Sequence, residues 1–351
     1  MSVKIKAVSK TIPEFSRTTA EIMPFLDSWL AGQDERFIRK VKKIFENAAV
    51  DKRYSIMSPE EVFTQTSFEE KNRIYMRESV ELGSRCLADA IKKAEWEAGD
   101  IDFLITVSCT GIMIPALDAY LINRLQLRQD VVRLPVTEMG CAAGVSGIIY
   151  AKNFLKANPG KRAAVVAVES PSATFQLDDF SMTNIVSAAI FGDGAACVLL
   201  SSHELDEGPE IVAEEMYHFY DAETMMGFDL TNGGLKMVLD VAVPETIEAH
   251  FPSIIHPFLA KQDTRIDQIE HLVFHPGGKK IVQLVEGLFG KMGKNIDDTK
   301  EILRMFGNMS SATVLYVLER FMEPGRTKQG DLGLMLSFGP GFSAQRILLK
   351  W

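Results

Sequence analysis

The feature of this chain that most constrains its fold is an order of secondary-structure elements that occurs twice. In the first occurrence, a strand-like apolar run over residues 101–108 ends at Cys109. An amphipathic helical pattern over 116–127 follows, and an extended run over 131–136 then leads to Cys141 and a second helix. Strands that alternate with helices in this way predict a sheet with helices packed on its faces.

The second half of the chain repeats this order. A strand-like run over 271–274 ends at His275, a helix is predicted over 280–290, and Asn308 opens a further helix. His275 and Asn308 are 33 residues apart, and Cys109 and Cys141 are 32 residues apart. The repeat is therefore one of element order and spacing.

Both halves also close in the same way, with a glycine turn and a β-rich run over 192–200 and over 339–349. Apolar runs such as 163–168 are typical of strands that helices cover on both faces. At 351 residues the chain is long for one simple domain. We therefore predict an α/β fold with two pseudo-repeated halves, residues 1–210 and 211–351.

The repeat predicts that a thiol, an imidazole and a carboxamide share one site, because chemistry in α/β folds gathers at the carboxyl ends of strands. These groups belong to Cys141, His275 and Asn308, with Cys109 expected beside them. A cysteine at a helix N-terminus and near an imidazolium is expected to have a lowered pKa and to form a reactive thiolate. Covalent acyl transfer is the leading hypothesis.

Each of these residues also has a simpler explanation. Cys141 taken alone fits a small buried residue, with Gly140 and Gly144 permitting close helix packing. His275 precedes Pro-Gly-Gly and fits a loop residue, whereas Asn308 fits a helix N-cap. Their joint occurrence at repeat-related positions favours the catalytic interpretation.

Composition excludes several other classes of protein. The chain is 46% hydrophobic and 24% charged, as in a globular protein with a large core, and its net charge of −9 argues against nucleic-acid binding. No run of about 18 apolar residues predicts a membrane span, and residues 1–20 lack the apolar core of a secretory signal. The four cysteines show no metal-ligand spacing, so reduced thiols and a cytoplasmic location are expected.

A basic run over residues 39–43 stands out in this acidic chain. Its simpler explanation is a solvated helix face. Its functional explanation is that Lys40 and Lys43 contact the phosphates of coenzyme A, because local positive charge attracts a polyanionic thioester. Phe191, just before a glycine turn, by default fits core packing in a strand.

Five sequence blocks resemble the signature blocks of the chalcone synthase-like, type III polyketide synthases. In chain order, the blocks lie at residues 140–144, 189–194, 275–278, 307–312 and 338–341. Their order and spacing match the family over nearly the whole chain, from about residue 35 to the end. The resemblance implies a thiolase-like αβαβα layered fold and a homodimer with a separate catalytic cavity in each subunit.

The resemblance also implies roles for individual residues. Cys141 is expected to be the acyl-accepting nucleophile, His275 and Asn308 are expected to polarise the thioester carbonyl, and Phe191 is expected to be the gatekeeper between the coenzyme A tunnel and the cavity. The other residues implied in or near the cavity are Cys109, Thr110, Glu169, Thr174, Phe228, Met237 and Ser310. The implied glycine loops contain Gly277, Gly278, Gly339, Pro340 and Gly341. Coenzyme A phosphates are expected at Lys40 and Lys43, and a dimer contact is expected at Ile114.

Several positions depart from the plant members of the family. A third phosphate-binding cation of those enzymes falls on Asn47, and their threonine and serine fall on Cys109 and Thr110. A small glycine is replaced by Phe228, and a second gatekeeping phenylalanine is replaced by Met237. These changes disfavour a plant-like chalcone product and indicate a bacterial type of member.

The predicted function is that of a type III polyketide synthase. An acyl-CoA starter loads on Cys141, malonyl-CoA extends it by decarboxylative Claisen condensation, and the poly-β-keto chain cyclises. No cofactor is expected beyond coenzyme A thioesters as substrates. The starter unit, the number of extensions and the product stay open.

Related enzymes supply the alternatives. A ketoacyl synthase III-like enzyme, which performs a single condensation, usually has Gln-Ala-Asn after its histidine, whereas here Pro276 follows His275. The glutamate motif of hydroxymethylglutaryl-CoA synthases was not found, and the segment 339–341 has no second thiolase cysteine. A non-catalytic acyl-binding homologue is a further alternative, and retention of all three polar residues disfavours it.

Overall fold

The computed structural model describes residues 2–351, and its elements follow the alternation predicted from the sequence. The elements of the first half are β1 (Lys4–Thr11), β2 (Phe15–Thr18), α1 (Thr19–Trp29), α2 (Glu35–Glu46), β3 (Lys52–Ser55), α3 (Pro59–Val62), α4 (Phe68–Ala94), β4 (Phe103–Val107), α5 (Leu117–Leu125), β5 (Val132–Val136), α6 (Ala143–Ala157), β6 (Arg162–Glu169), α7 (Met182–Ile190) and β7 (Gly194–Ser201).

The second half contains a hairpin of two consecutive strands that the first half lacks. Its elements are β8 (Glu210–His218), β9 (Met226–Thr231), β10 (Gly234–Leu239), α8 (Val243–Ala260), β11 (His271–Phe274), α9 (Lys279–Gly290), α10 (Asp297–Phe306), α11 (Thr313–Met322), β12 (Leu332–Gly339) and β13 (Ser343–Lys350). Short 3₁₀ turns lie at Ala98–Asp100, Gly140–Ala142, Pro171–Thr174, Ile266–Gln268 and Ser310–Ala312.

Within residues 2–351, nine strands are joined in the order β11-β12-β13-β8-β1-β7-β6-β4-β5. Apart from the edge strand β5, which has no counterpart in the second half, the two halves of this sheet have the same internal order and directions. In the first half, β4 and β6 are parallel while β7 is antiparallel to both β6 and β1. In the second half, β11 and β12 are parallel while β13 is antiparallel to both β12 and β8. The repeat seen in the sequence is thus a repeat of topology.

The strands of each half are covered on both faces, as their continuous apolar runs require. On β6, Val165 packs in the core cluster that contains α6 and α11, whereas Val166 packs in the cluster that contains α4. On β12, Met335 belongs to the α6 and α11 cluster, whereas Leu336 belongs to the cluster that contains α8 and α9. Helices α6 and α11 therefore form a middle layer between two sheet halves, which gives the αβαβα arrangement.

Helix α4 shows how local sequence fixes an outer layer. Ser67 caps its N-terminus by accepting a hydrogen bond from the Glu70 N–H, and Glu95 ends it in a left-handed conformation. Its buried face includes Leu82 and Leu87, which pack against the first half-sheet. Full burial of each leucine side chain is worth about 1.5–3 kcal/mol, so packing rather than capping fixes this helix in place.

The predicted elements and the structure differ mainly at their boundaries. The strand over 271–274 is observed unchanged, and the helix predicted over 280–290 begins one residue earlier. Asn308 does not open a helix directly, because a 3₁₀ turn separates it from α11, and α10 lies in a segment for which no helix was predicted. None of the helices in residues 2–351 is long and apolar enough to cross a membrane.

Candidate active site

Cys141 lies in the middle of the 3₁₀ turn that leads into α6. The turn begins at Gly140, whose φ of +49° is a conformation that glycine adopts at low cost. The backbone carbonyl of Cys141 accepts a hydrogen bond of 2.7 Å from the Ser337 hydroxyl on β12. The backbone that carries the thiol is thus anchored to a strand of the second half.

Asn308 lies at the equivalent place before α11, and hydrogen bonds hold its side chain from both ends. Its Oδ1 accepts from the Ser310 N–H at 2.8 Å, and its Nδ2 donates to the Gly277 carbonyl at 3.1 Å. An amide nitrogen has two hydrogens, so one N–H is left to face the cavity. As in an N-cap, the side-chain oxygen of Asn308 accepts a hydrogen bond from a backbone N–H. Unlike a simple N-cap, the side chain also has one N–H that is not bonded within residues 2–351.

The close approach of the two repeated segments depends on one glycine. A Cβ atom on Gly144 of α6 would lie 2.2 Å from the carbonyl oxygen of Ser311, which follows Asn308 in the second half. Only a residue without a side chain permits this contact. The simpler explanation of Gly144, close helix packing, is therefore correct, and this packing brings Cys141 and Asn308 to the same cavity.

His275 directly follows β11, and its N–H donates to the Leu336 carbonyl at 3.0 Å. The residue is buried. Within residues 2–351, neither ring nitrogen of His275 has a hydrogen-bond partner. A buried polar group is normally paired, so an imidazole held this way is available to a substrate.

Cys141, His275 and Asn308 all line one cavity of about 70 Å³. The lining also includes Phe191, Cys109, Thr110, Phe228, Met237 and Ser310. All of these residues were predicted from the sequence to share one site. Thr174 does not line this cavity and instead lines a neighbouring one, and Glu169 lies behind the wall.

Burial dominates the electrostatics of the thiol and the imidazole. It raises the pKa of Cys141 to about 12 and lowers the pKa of His275 to about 3. Hydrogen-bond donation by Ser310 and Asn308 would stabilise a thiolate at Cys141, but it does not offset the desolvation. Burial therefore favours a neutral thiol and a neutral imidazole and opposes the predicted resting thiolate–imidazolium pair, which stays a prediction.

Glu169 holds the wall of the cavity next to Cys109. Its carboxylate accepts from the Cys109 N–H at 3.0 Å, from the Thr110 hydroxyl at 2.9 Å and from the Ser311 hydroxyl at 2.5 Å. Burial raises its pKa, and these donors act in the opposite direction. The network ties the end of β4 to the turn after Asn308.

Phe191 lies at the end of α7, and its backbone pairs with the second half. It forms an isolated parallel bridge with Asn308, in which the Asn308 N–H donates to the Ile190 carbonyl at 2.8 Å and the Gly192 N–H donates to the Asn308 carbonyl at 3.1 Å. Its side chain is half-buried and lines two cavities. It is therefore not simple core packing.

The remaining predicted residues lie around this centre. Gly277 and Pro340 line the cavity, Gly278 precedes α9, and a Cβ on Gly339 would lie 2.6 Å from that of Ala142. Gly341, in the turn between β12 and β13, has a φ of +103°.

The predicted phosphate and dimer contacts lie on the surface. Lys40 and Lys43 are exposed on α2, and within residues 2–351 neither forms an ion pair. Ile114 is 88% exposed in the loop before α5.

Sequence reasoning missed part of the apolar lining. These residues are Pro171, Ile190, Met226, Leu239, Ile281 and Phe338. Met226 and Leu239 pair across the β9–β10 hairpin, as do Phe228 and Met237. Met226 and Leu239 lie two residues from Phe228 and Met237, and this alternation of residues along each strand was the signal that could have identified these two.

Comparisons with known proteins agree with this geometry. Sequence models of the N-terminal and C-terminal domains of the chalcone and stilbene synthases match residues 3–204 and 211–351. A 1,3,6,8-tetrahydroxynaphthalene synthase of Streptomyces peucetius is 32% identical, over 91% of this chain and 85% of that protein. A phloroglucinol synthase of Pseudomonas fluorescens is 28% identical, over 97% of this chain and 96% of that protein.

A solved structure has the same fold over the whole chain. The 1,3,6,8-tetrahydroxynaphthalene synthase of Streptomyces coelicolor, a bacterial type III polyketide synthase, is 28% identical and superposes with a TM-score of 0.92, covering 99% of both chains. The predicted thiolase-like fold is confirmed. The chain belongs to the chalcone and stilbene synthase family and is an acyltransferase of the type III polyketide synthase class.

Proposed function

We propose that Cys141, His275 and Asn308 perform the acyl transfer and the decarboxylative condensation of this polyketide synthase. The observation that carries the proposal is that all three line one buried cavity, with both imidazole nitrogens unpartnered within residues 2–351 and one carboxamide N–H free. A nucleophile, a base and a second donor then converge on one small volume.

Loading begins from neutral groups. As the thiol of Cys141 attacks the carbonyl carbon of the starter thioester, His275 accepts the thiol proton, so the negative charge need not exist before the bond forms. The carbon–sulfur bond to coenzyme A then breaks, and the departing sulfur takes the proton from His275. The products are an acylated Cys141 and free coenzyme A, with His275 neutral again.

In extension, His275 and Asn308 act as hydrogen-bond donors. The thioester oxygen of malonyl-CoA accepts hydrogen bonds from His275 and from the free N–H of Asn308. When the bond to the carboxylate carbon breaks and carbon dioxide leaves, negative charge develops on this oxygen, where each preorganised donor is typically worth about 3–4 kcal/mol. The enolate carbon attacks the carbonyl carbon of the Cys141 thioester, the carbon–sulfur bond to Cys141 breaks, and the released thiolate takes a proton from water. The extended chain is then a coenzyme A thioester, which loads onto Cys141 again for the next cycle and finally cyclises.

Substrate binding is proposed at the surface of α2. Lys40 and Lys43 are exposed and have no ion-pair partner within residues 2–351, so their charges are available to the phosphates of coenzyme A. Coenzyme A thioesters are proposed to be sufficient as substrates. Asn47, where related enzymes have a third cation, donates to the Lys43 carbonyl instead.

We also propose that the enzyme works as a homodimer. Ile114 is 88% exposed, and β5 is an edge strand on which Val132 is 48% exposed. Apolar side chains beside an open sheet edge are typical of a surface that another chain covers. A second copy of this chain is the proposed occupant.

Acyl loading tests the proposed chemistry. Labelled acyl-CoA should acylate the wild type at Cys141, as located by peptide mass spectrometry, and should not acylate Cys141→Ala. Cys109→Ala is the matched control, since it removes the other thiol of the cavity. Equal labelling of Cys141→Ala and the wild type would contradict the assignment of the nucleophile.

A further inference from the structure

A second cavity, of about 100 Å³, lies against the catalytic one. Pro171, Phe191 and Met237 line both. Its wall is largely apolar, and its apolar residues include Phe15, Ile22, Phe45, Met57, Phe63 and Phe175. The steps proposed above do not use this space.

Two arginines interrupt the apolar wall. Arg17 on β2 and Arg53 on β3 are directly opposite each other in the antiparallel pair, and both line the cavity. Within residues 2–351, neither has a carboxylate within ion-pair distance. Like charges placed opposite each other on a sheet destabilise it, so this pair is costly unless an anion lies between the side chains.

Arg53 is only 8% exposed, and part of its guanidinium is unpartnered. Its Nη2 donates to the Ala189 carbonyl at 2.9 Å and to the Thr19 hydroxyl at 3.3 Å. Ala189 lies in the last turn of α7, where backbone carbonyls carry partial negative charge. Nε and Nη1 have no hydrogen-bond partner within residues 2–351. A buried cation with free donors is expensive, and an anionic ligand would satisfy it.

The one carboxylate in the wall of this cavity does not neutralise Arg53. Asp193 accepts from the Ile56 N–H at 2.8 Å and from the Ser172 N–H at 2.9 Å, and the Ser172 hydroxyl donates to it as well. Its oxygens are thus taken up by backbone and hydroxyl donors. Burial lowers the pKa of Arg53 to about 10, which still leaves it protonated at neutral pH.

We propose that this second cavity is a subsite for a starter acyl group that carries a carboxylate at its far end. The inference rests on the proposed function, because the thioester end of the same acyl group must reach Cys141. The aliphatic chain would pass beside Phe191 and pack on the apolar wall. The terminal carboxylate would lie beside the guanidinium of Arg53, with Arg17 opposite. Nε and Nη1 of Arg53 are enclosed in the structure, so a small movement of this side chain would bring them to the carboxylate, and such charge-assisted bonds are the strong ones.

The test compares two acyl groups that differ only in the carboxylate. Glutaryl-CoA and pentanoyl-CoA both carry five-carbon acyl groups, and the rate of Cys141 acylation is followed by intact-protein mass spectrometry. The wild type should load glutaryl faster. Arg53→Gln should lower glutaryl loading by roughly 10- to 100-fold while pentanoyl loading changes less than about threefold. Arg17→Gln should also lower the ratio of the glutaryl loading rate to the pentanoyl loading rate. This variant keeps the test valid if Arg53→Gln does not fold.

The phosphates of coenzyme A are also anions and could bind the same arginines. A second experiment therefore uses substrates without phosphate. N-acetylcysteamine thioesters of the same two acyl groups contain no phosphate, so a carboxylate subsite predicts that the preference for glutaryl and its loss in Arg53→Gln persist. Disappearance of the preference with these thioesters would overturn the inference.

Two further results would also overturn it. Equal loss of both acyl groups in Arg53→Gln would mean that Arg53 only supports α7, and absence of any wild-type preference would mean that no such subsite exists. Failure of the proposed function is distinguishable, because pentanoyl-CoA would then also fail to acylate Cys141 in the wild type, and the inference would fail with it.

Discussion

Phe228 and Met237 are directly opposite each other in the antiparallel β9–β10 hairpin, and both line the catalytic cavity. Residues paired across two strands project to the same face of the hairpin. One rigid ring and one flexible thioether therefore form a single wall, and the size of the cavity depends on the two together.

Replacing Phe228 by Gly removes the ring from this wall. We expect products that contain at least one more malonyl unit, because a longer chain can remain in the cavity before it cyclises. Liquid chromatography with mass spectrometry of products from malonyl-CoA measures this. Leu230→Gly is the matched control, since Leu230 lies on the same strand but is exposed and does not line the cavity. An unchanged product profile in Phe228→Gly would contradict the assignment.

Replacing Asn308 by Ala removes a hydrogen-bond donor to the thioester oxygen of malonyl-CoA, on which negative charge develops during decarboxylation. Decarboxylation of malonyl-CoA should fall about 10²- to 10³-fold, whereas starter loading should fall less than about tenfold. Carbon dioxide release and acyl labelling measure the two steps separately. Asn308→Asp keeps an acceptor for the Ser310 N–H but has no amide donor, so it should lose decarboxylation as well. Parallel losses of both steps would argue against this division of roles.

His275 makes stability depend on pH. Its pKa is about 3 in the folded protein, whereas an unperturbed histidine has a pKa of about 6.5. Between these values the unfolded chain binds more protons, so stability falls as the pH decreases. The free energy of unfolding of the wild type relative to His275→Gln should therefore decrease by about 2–3 kcal/mol from pH 6.5 to pH 4.

Urea unfolding of both proteins over this pH range measures the effect of His275. Burial raises the pKa of Asp193 to about 6, so Asp193 titrates in the same range with the opposite sign. It is present in both proteins and cancels in the difference. A difference independent of pH would mean that His275 is not buried as a neutral group.

Gly144 should not tolerate a side chain. Its Cβ would meet the backbone oxygen of Ser311 at 2.2 Å, so Gly144→Ala should lower the free energy of unfolding by roughly 1–3 kcal/mol or more and should separate the two catalytic segments. Gly287→Ala is the matched control, because a Cβ at this position in α9 meets no atom within 4 Å. That change should stabilise the protein by about 0.4–1 kcal/mol. Denaturant unfolding and acyl loading of both variants check this, and equal stability would contradict the packing argument.

Ile114 gives a test of the proposed dimer. Ile114→Asp should raise the dimer dissociation constant roughly 10- to 100-fold, because burial of an isoleucine side chain is worth about 1.5–3 kcal/mol. Light scattering over a concentration series measures the change. Leu205→Asp is the control, since Leu205 is equally exposed, on the connection between β7 and β8. The same dissociation constant for Ile114→Asp and the wild type would place the interface elsewhere.

The sequence was sufficient to predict the shared position of Cys141, His275 and Asn308, because the repeat of strand and helix fixes which strand ends meet. It was not sufficient for the charge on Cys141. That charge depends on how deeply the thiol is buried, and the burial arises from both halves packing around it. The periodicity of one segment contains no information on how much burial the two halves together produce.

Other features depended on pairings distant in the sequence. The register that sets Phe228 opposite Met237 was not predicted, because it depends on how two separate strands pair. Arg53 lies ten residues after the basic run over 39–43, and only the pairing of β2 with β3 and the packing of α7 place its guanidinium in a buried wall. Thr174 was expected in the catalytic cavity, but the 3₁₀ turn at Pro171–Thr174 directs it to the neighbouring one.

The backbone bridge between Phe191 and Asn308 has a consequence for how the site keeps its shape. Its two main-chain hydrogen bonds join the segment that carries the aromatic ring to the segment that carries the carboxamide. The ring and the carboxamide donor are therefore held at a constant spacing, and neither has to be reassembled in each turnover.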